Sequence, residues 1–307
     1  MHPVLVLNGP TASGKSALAV EVALELKERG IAAEIINADA MLVYRGMDIG
    51  TAKPTMDERQ GVPHHLLDFL EVTQTATVAE FQSLARSAIQ ELRARDVVPV
   101  VVGGSALYVH AILDAFEFPA TDERVRTRLE AELAEIGPDA MHSRLAALAP
   151  DTAAGILPGN ARRTVRALEV IELTGSYSSQ LPQWSYAVDN VRQFGLELER
   201  PILDARIATR VDAMWEAGLV AEVRRLEARG LRQGVTAWRA LGYRQILSFL
   251  DGEITEAEAR EKTVFGTRRF ARKQLSWFRR DPRVEWLAAG DLGNAARIGL
   301  AAVPGRS

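Results

Sequence analysis

The chain has 307 residues, 47% of them hydrophobic, enough to bury a sizeable core in one large domain or two. It contains no cysteine, which excludes disulfides and cysteine-ligated zinc. A formal net charge of −3, no window near the roughly 18 apolar residues of a membrane span, and no basic-then-apolar leader point to a soluble cytoplasmic protein with no membrane partner.

The first apolar run, Val4 to Asn8, reads as a buried strand, and Ala17 to Leu26 reads as a helix that Gly30 ends. Between them lies Gly9-Pro10-Thr11-Ala12-Ser13-Gly14-Lys15-Ser16, with the G-x-x-x-x-G-K-[ST] spacing of a phosphate-binding loop. Glycines let the backbone curl so that successive N–H groups face an anion, and the helix amino terminus adds its positive end. Lys15 supplies a full charge for the terminal phosphate, and the Ser16 hydroxyl is the candidate magnesium ligand. A chance match in a chain of this length is about a one-in-a-hundred event.

Ala33 to Ala38 reads as a second strand ending at Asp39, followed by a turn-rich segment from Tyr44 to Pro54. A helix is expected from about Val78 to Arg95, then an apolar, β-branched strand from Val97 to Val102 running into Gly103-Gly104-Ser105. Strands alternating with helices imply an α/β fold, a P-loop NTPase-like doubly wound parallel sheet, with ligands beyond the carboxyl ends of its strands. Gly14, Asp39 and Ser105 fall at such ends and are expected to converge, with Asp39 ending the strand beside the phosphate loop.

From about Pro119 to Trp184 the pattern turns helical. Asp122 to Ile136 stops at Gly137-Pro138, and Ala140 to Leu148 and Ala161 to Thr174 follow. Gln193 to Leu198 reads as a return strand. The remainder is mostly helical, with a capping box at Thr255 to Glu258 before a final basic helix running to Arg283. The expected organisation is a core of residues 1–118 and 190–307 with an all-helical domain, 119–189, inserted in it.

A phosphate loop serves kinases, hydrolases and transferases with a pyrophosphate leaving group. A kinase or hydrolase usually adds an acid for magnesium at the end of an apolar strand, and Val101-Val102-Gly103-Gly104 has none. Asp39 is the best-placed acid, although a turn or cap aspartate fits its position equally. Gly266 to Arg283 carries seven cations against the single acid Asp281. Such helices usually present a solvated face, here with Phe270, Leu275, Trp277 and Phe278 inside. The scarcity of acids favours phosphate contact, as do two further segments, Arg162-Arg163-Thr164-Val165-Arg166 and Arg239-Ala240-Leu241-Gly242-Tyr243-Arg244-Gln245. These suit phosphate contact with stacking on an unpaired base. His64-His65 point apart and lack a third ligand, so no metal site is expected there.

The phosphate loop, the run from Asp39 to Pro54, Val102-Gly103-Gly104-Ser105, Gly242-Tyr243-Arg244-Gln245 and the Arg272-to-Arg279 helix occur in order over nearly the whole chain. Together they resemble the bacterial tRNA dimethylallyltransferases, or tRNA isopentenyltransferases (the IPP transferase family). The resemblance implies transfer of a dimethylallyl group from dimethylallyl diphosphate to the exocyclic amine of the adenosine just 3′ of the anticodon, with Mg2+ and without ATP. It implies Asp39 as general base, and Lys15, Ser16 and Arg210 at the departing diphosphate, with Thr11, Ala12, Ser13 and Gly14 binding the donor. It also implies Ser105 near the adenine, where the family commonly has threonine; Ala40 stands where the family commonly has serine. Asp39, Ala40, Met41, Leu42, Ser105, Arg239, Gly242, Tyr243, Arg244, Gln245, Arg272, Lys273, Gln274, Trp277 and Arg279 are expected to contact tRNA. Arg126, Arg162, Arg163, Thr164, Val165 and Arg166 of the insertion are expected to clasp the anticodon stem-loop. No dimer seam is evident, so a monomer is expected. The competing readings are an adenylate dimethylallyltransferase, a small-molecule kinase, and an RNA-binding protein whose loop merely holds nucleotide.

Overall fold

A computed structural model describes residues 2–115, 118–177 and 184–303. Parts of the expected domains (116–117, 178–183 and 304–307) lie outside the described residues. Two compact units emerge. One runs through Asp114 and resumes at Tyr186; the other is Ala115–Ser185.

The first unit opens with β1 (Val4–Asn8), α1 (Lys15–Glu28), β2 (Ala33–Asn37), α2 (Met56–Arg59), β3 (His64–His65), α3 (Val78–Ala94), β4 (Val98–Gly103) and α4 (Ala106–Leu113). The second unit holds α5 (Glu123–Leu148), α6 (Pro150–Ala154) and α7 (Ala161–Thr174). The chain then returns to the first with β5 (Val191–Glu197), α8 (Arg200–Glu216), α9 (Leu219–Ala228), α10 (Tyr243–Leu250), α11 (Glu256–Phe278), β6 (Val284–Ala288) and α12 (Asn294–Ala302).

The six strands form one sheet in the order β3-β2-β4-β1-β5-β6, every pair parallel. Both faces are covered, which explains the unbroken apolar runs. Val4, Val6, Ile36 and Val101 point into a core closed by α3 and α4; Leu5, Leu7, Ile35 and Val100 point into the opposite core under α1 and α12. The order corrects one expectation, because β2 does not neighbour β1: β4 lies between them. Two edge strands had no legible signal. β3 is two residues long, and His65 is tied to Glu34 (2.6 Å) rather than to a metal. The basic helix ends at Phe278, five residues before Arg283, which instead precedes β6.

The helical unit encloses its own core of Leu129, Met141, Leu145, Val165 and Leu168. Gly137 (φ 81°) breaks α5 into the two expected segments, a conformation that favours glycine.

The run between Asp39 and Pro54 has no regular structure and is held by buried ions. The Glu222 carboxylate accepts the N–H groups of Asp48 (3.1 Å), Ile49 (2.8 Å) and Gly50 (3.2 Å), and the Tyr243 hydroxyl (2.6 Å). Gly50 must be glycine because a Cβ would lie 2.5 Å from the Tyr243 ring. The buried Lys53 ammonium donates to Tyr44 O and Asp48 (both 2.8 Å) and to Asp68. Glu222→Ala leaves these N–H groups and a buried phenol without their acceptor. At on the order of 1–3 kcal/mol for each unsatisfied group, unfolding free energy falls by about 3 kcal/mol or more. Urea titration of parent and variant measures the loss, and coincident midpoints would contradict this account of the run.

Candidate active site

β1 delivers the chain into the glycine-rich loop and α1 takes it out. Gly14 (φ 92°) caps α1 in the left-handed region, and Ala12 (φ 63°) adopts that region without the glycine advantage, a local strain on the order of 1–3 kcal/mol. The first turn of α1 has neither a side-chain cap nor an acidic residue, so its N–H groups remain for an anion. Ser16 is exposed at this turn; Ser13 is buried, and its Oγ has no hydrogen-bond partner among the described residues. The Lys15 ammonium donates to Pro10 O (3.3 Å). Burial pushes its pKa down to about 8, with the Asp39 charge raising it and the Arg210 charge lowering it. Arg210, on α8, is likewise lowered by its own burial and raised by Asp39 and Glu58. Lys15, Asp39 and Arg210 therefore share one electrostatic neighbourhood, drawn from β1–α1, β2 and α8.

Asp39 is fixed by its neighbours. Asn37, at the end of β2, accepts the Asp39 N–H (2.8 Å) and donates to Asp39 O and Leu66 O (both 3.0 Å). One carboxylate oxygen of Asp39 accepts from Met41 N (3.0 Å), an Asx-type turn. The turn reading of Asp39 is therefore what the geometry shows, and the turn fixes the direction of the carboxylate. Ser105, at the start of α4, accepts from Ala40 N (3.3 Å), so its hydroxyl supports the Asp39 turn from the neighbouring strand. Gly103 allows this closeness, because a Cβ there would lie 2.3 Å from Ala38 O.

Several expected RNA-contacting side chains are otherwise engaged. Gln274 is buried; its Oε1 accepts from Thr11 N (2.9 Å) and its Nε2 donates to Gly104 O (2.8 Å). Tyr243 is fully buried on Glu222, and Gln245 is buried with its Oε1 accepting from Gly242 N (2.9 Å). Gly242 (φ 89°) is the turn that starts α10. Arg239 and Arg244 remain exposed. On α11, Lys273 is exposed and Arg272 half-buried; Arg279, just past its end, is exposed and pairs with Glu197 (3.4 Å), and the half-buried Trp277 ring lies 5.9 Å from the His110 ring. Met41 and Leu42 are half-buried beside Asp39.

Within the helical unit, Arg126 and Arg166 do not present free guanidinium groups. Both bind Glu169, which is fully buried (3.0 and 2.8 Å). Burial pushes that carboxyl up, but hydrogen bonds from Arg126, Arg166, Thr121 and Asp122 N outweigh it and hold it at about 2. Thr164 and Val165 are buried, Val165 within the unit's apolar core. Arg162 and Arg163 are exposed at the start of α7.

Two supporting features lacked a local signal. Beneath the phosphate loop, Asn8 donates to Gln193 (2.8 Å), which donates to Asp281 (3.1 Å) and to the Tyr186 hydroxyl (2.8 Å). Arg283 closes this network on Asp281 and Asp114 with its guanidinium 3.9 Å over the Tyr186 ring; burial draws its pKa down, but these carboxylates outweigh that and hold it above the usual arginine range. Alongside α11, a cavity of about 860 Å³ is lined by Arg244, Lys262, Phe265, Arg269, Phe270 and Lys273 among others, with Phe265 64% exposed. No helix among the described residues is long and apolar enough to cross a membrane.

The family model described as IPP transferase matches residues 42–281. The tRNA dimethylallyltransferase of Thermobifida fusca is 63% identical over 94% of this chain and 90% of its own, and that of Kineococcus radiotolerans is 60% identical over 94% and 92%. Among solved structures, a tRNA isopentenylpyrophosphate transferase from Bacillus halodurans aligns with a TM-score of 0.70 at 39% identity, covering 97% of this chain and 93% of that one. A eukaryotic dimethylallyltransferase acting on tRNA aligns with a TM-score of 0.79 at 26% identity, covering 97% and 77%.

If charged Lys15 holds an anion in the loop, affinity for inorganic pyrophosphate should decline as pH rises through about 8, where burial has the folded protein lose that proton. Lys15→Met removes this step while leaving the ligand's own titration. Calorimetric titrations of both proteins across that range decide it, and an equal step in the variant excludes Lys15.

Proposed function

The chain belongs to the IPP transferase family and is a transferase that prenylates tRNA; on that premise we propose that it moves a dimethylallyl group from dimethylallyl diphosphate to the exocyclic amine of the adenosine 3′-adjacent to the anticodon, releasing diphosphate. The observation that carries this reading is Asp39, braced by Asn37 and Met41 N, with the cationic Lys15 and Arg210 in its electrostatic neighbourhood. The amine nitrogen forms a bond to the first carbon of the dimethylallyl group as the carbon–oxygen bond breaks, and the bonding pair leaves with the diphosphate. The amine proton passes to Asp39, a general-base role. Lys15, Arg210 and the loop N–H groups stabilise charge growing on the leaving diphosphate. Of the loop residues expected to bind the donor, Ala12, Ser13 and Gly14 hold it through their backbone N–H groups, whereas the Thr11 N–H is taken by Gln274.

No group of three or more His, Asp or Glu side chains able to hold a metal occurs among the described residues. The Ser16 hydroxyl, a hard oxygen donor exposed at the first turn of α1, is the proposed protein ligand of a hard cation arriving with the diphosphate, and Mg2+ is the proposed ion. When bound, it supplies additional charge neutralisation at the leaving group.

The acceptor is proposed to be an anticodon stem-loop with its target base flipped out of the stack toward Asp39. The exposed cations Arg239, Arg244, Lys273 and Arg279, together with Arg272, suit phosphate contact. Phe265 and Phe270 among the cavity's cations suit stacking on an unpaired base. In the helical unit, residues 119–189 as proposed here, Arg162 and Arg163 take the phosphate-contacting role. A monomer working in the cytoplasm completes the proposal.

Radiolabelled dimethylallyl diphosphate should label undermodified tRNA far better than AMP, and no label with magnesium present would overturn the reading. Asp39→Ala should lose about 10²–10⁴-fold in rate yet bind tRNA like the parent; equal rates would remove the base assignment. Affinity for tRNA should fall by about three orders of magnitude between roughly 50 and 200 mM salt, and a flat response would return the α11 cations to a solvated face.

A further inference from the structure

The β1–β4 ladder ends at the pair Asn8 and Gly103. Beyond that pair the chains turn away into the phosphate loop on one side and the turn to α4 on the other, and the sheet no longer sets their separation. One side chain takes over. Gln274 accepts the Thr11 N–H (2.9 Å) and donates to Gly104 O (2.8 Å), spanning the two loops with the two ends of a single amide. A Cβ at Gly104 would lie 2.3 Å from the amide nitrogen, so the bridge depends on bare backbone there. The next residue, Ser105, accepts from Ala40 N, and Ala40 follows Asp39. A hydrogen-bonded path therefore joins the diphosphate loop to the carboxylate turn: Thr11, Gln274, Gly104–Ser105, Ala40–Asp39. The bridge rests on a firm support, because α11 is packed in the core through Ala271 and Phe278.

We infer that Gln274 is a positioning residue of the transfer reaction, fixing the spacing between the donor's diphosphate loop and the turn that carries Asp39 while touching neither substrate. The inference rests on the prenyl-transfer reading above. Reaction requires the attacking amine in line with the breaking carbon–oxygen bond. A shift of about 1 Å between the group that holds the diphosphate and the group that takes the proton is enough to cost about a hundredfold in rate. An amide suits the task because it is rigid and planar and offers one acceptor and one donor at a set separation.

The two ends of the amide can be removed separately. Gln274→Met preserves the volume and loses both bonds; kcat should fall by about a hundredfold and KM for dimethylallyl diphosphate should rise, with tRNA affinity unchanged. Gln274→Glu keeps an acceptor for Thr11 N but, when ionised, has no proton for Gly104 O. Its donor KM should stay near the parent value while kcat falls. Protonating that carboxyl restores an O–H donor, so the ratio of variant to parent kcat should climb as pH falls. The proposal is wrong if Gln274→Met turns over like the parent, or if its defect lies only in tRNA affinity. It is also wrong if thermal stability and the active fraction drop while turnover per active site is kept, or if the Gln274→Glu ratio is flat with pH. Should Gln274→Met not fold, Gln274→Glu alone decides. A parent enzyme that transfers nothing to tRNA refutes the function instead, and is recognised by that.

Discussion

An ammonium taken out of water sheds its proton more readily, and Lys15 sits at that edge, with burial drawing it down toward neutrality and the Asp39 charge holding it up. The guanidinium of Arg210 pulls the other way and is itself restrained by Asp39. Two cations and one carboxylate leave a net positive neighbourhood, complementary in charge to the polyanionic donor proposed for it. Much of the core unit can be read as what is needed to hold these charges in place without solvating them away. The loops carrying them emerge at the carboxyl ends of parallel strands, and each is tied to its neighbour by a side chain: Asn37 to the Asp39 turn, Ser105 to Ala40, Gln274 to Thr11 and Gly104.

The same logic recurs a layer further out. Glu222, Lys53 and Arg283 are charged groups set into backbone-rich surroundings, each meeting several partners. Breaking one partner leaves an uncompensated ion, so these groups specify a conformation more than they stabilise it. The Asp39-to-Pro54 run is a case in point. Val43, Tyr44 and Met47 anchor it in the core, and its irregular backbone finds its hydrogen-bond partners in Glu222 and Lys53.

The elements legible in the sequence were those whose pattern is local. Apolar runs marked β1, β2, β4 and β5, and the Thr255 capping box marked the start of α11. The phosphate loop needed only its spacing. β3 escaped because two residues carry no periodicity, and β6 because the charged turn from Arg279 to Arg283 merged with the basic helix before it. Strand order was misjudged for a related reason: adjacency in a parallel sheet is decided by crossover packing that no local window records. At the site, composition and resemblance singled out candidate residues, while burial shows how several of them are placed. Gln274, Tyr243 and Gln245 look like polar contacts on paper and are internal struts in the fold. Arg126 and Arg166 look like free cations until the buried Glu169 is seen between them.

The long return of the chain to the sheet bears on how the molecule is made. Val4 in β1 lies opposite Val191 in β5, a partner translated nearly two hundred residues later. On the ribosome, β1 can zip onto β4 early, but its other rim stays unzipped until the helical unit has been synthesised. That unit has its own core and can collapse unaided in the interval. The open rim of β1 is apolar on both faces, so the nascent chain passes through a stage in which a sticky strand edge waits for its mate. Chaperone demand and sensitivity to translation speed should therefore be concentrated there, well away from the chemistry.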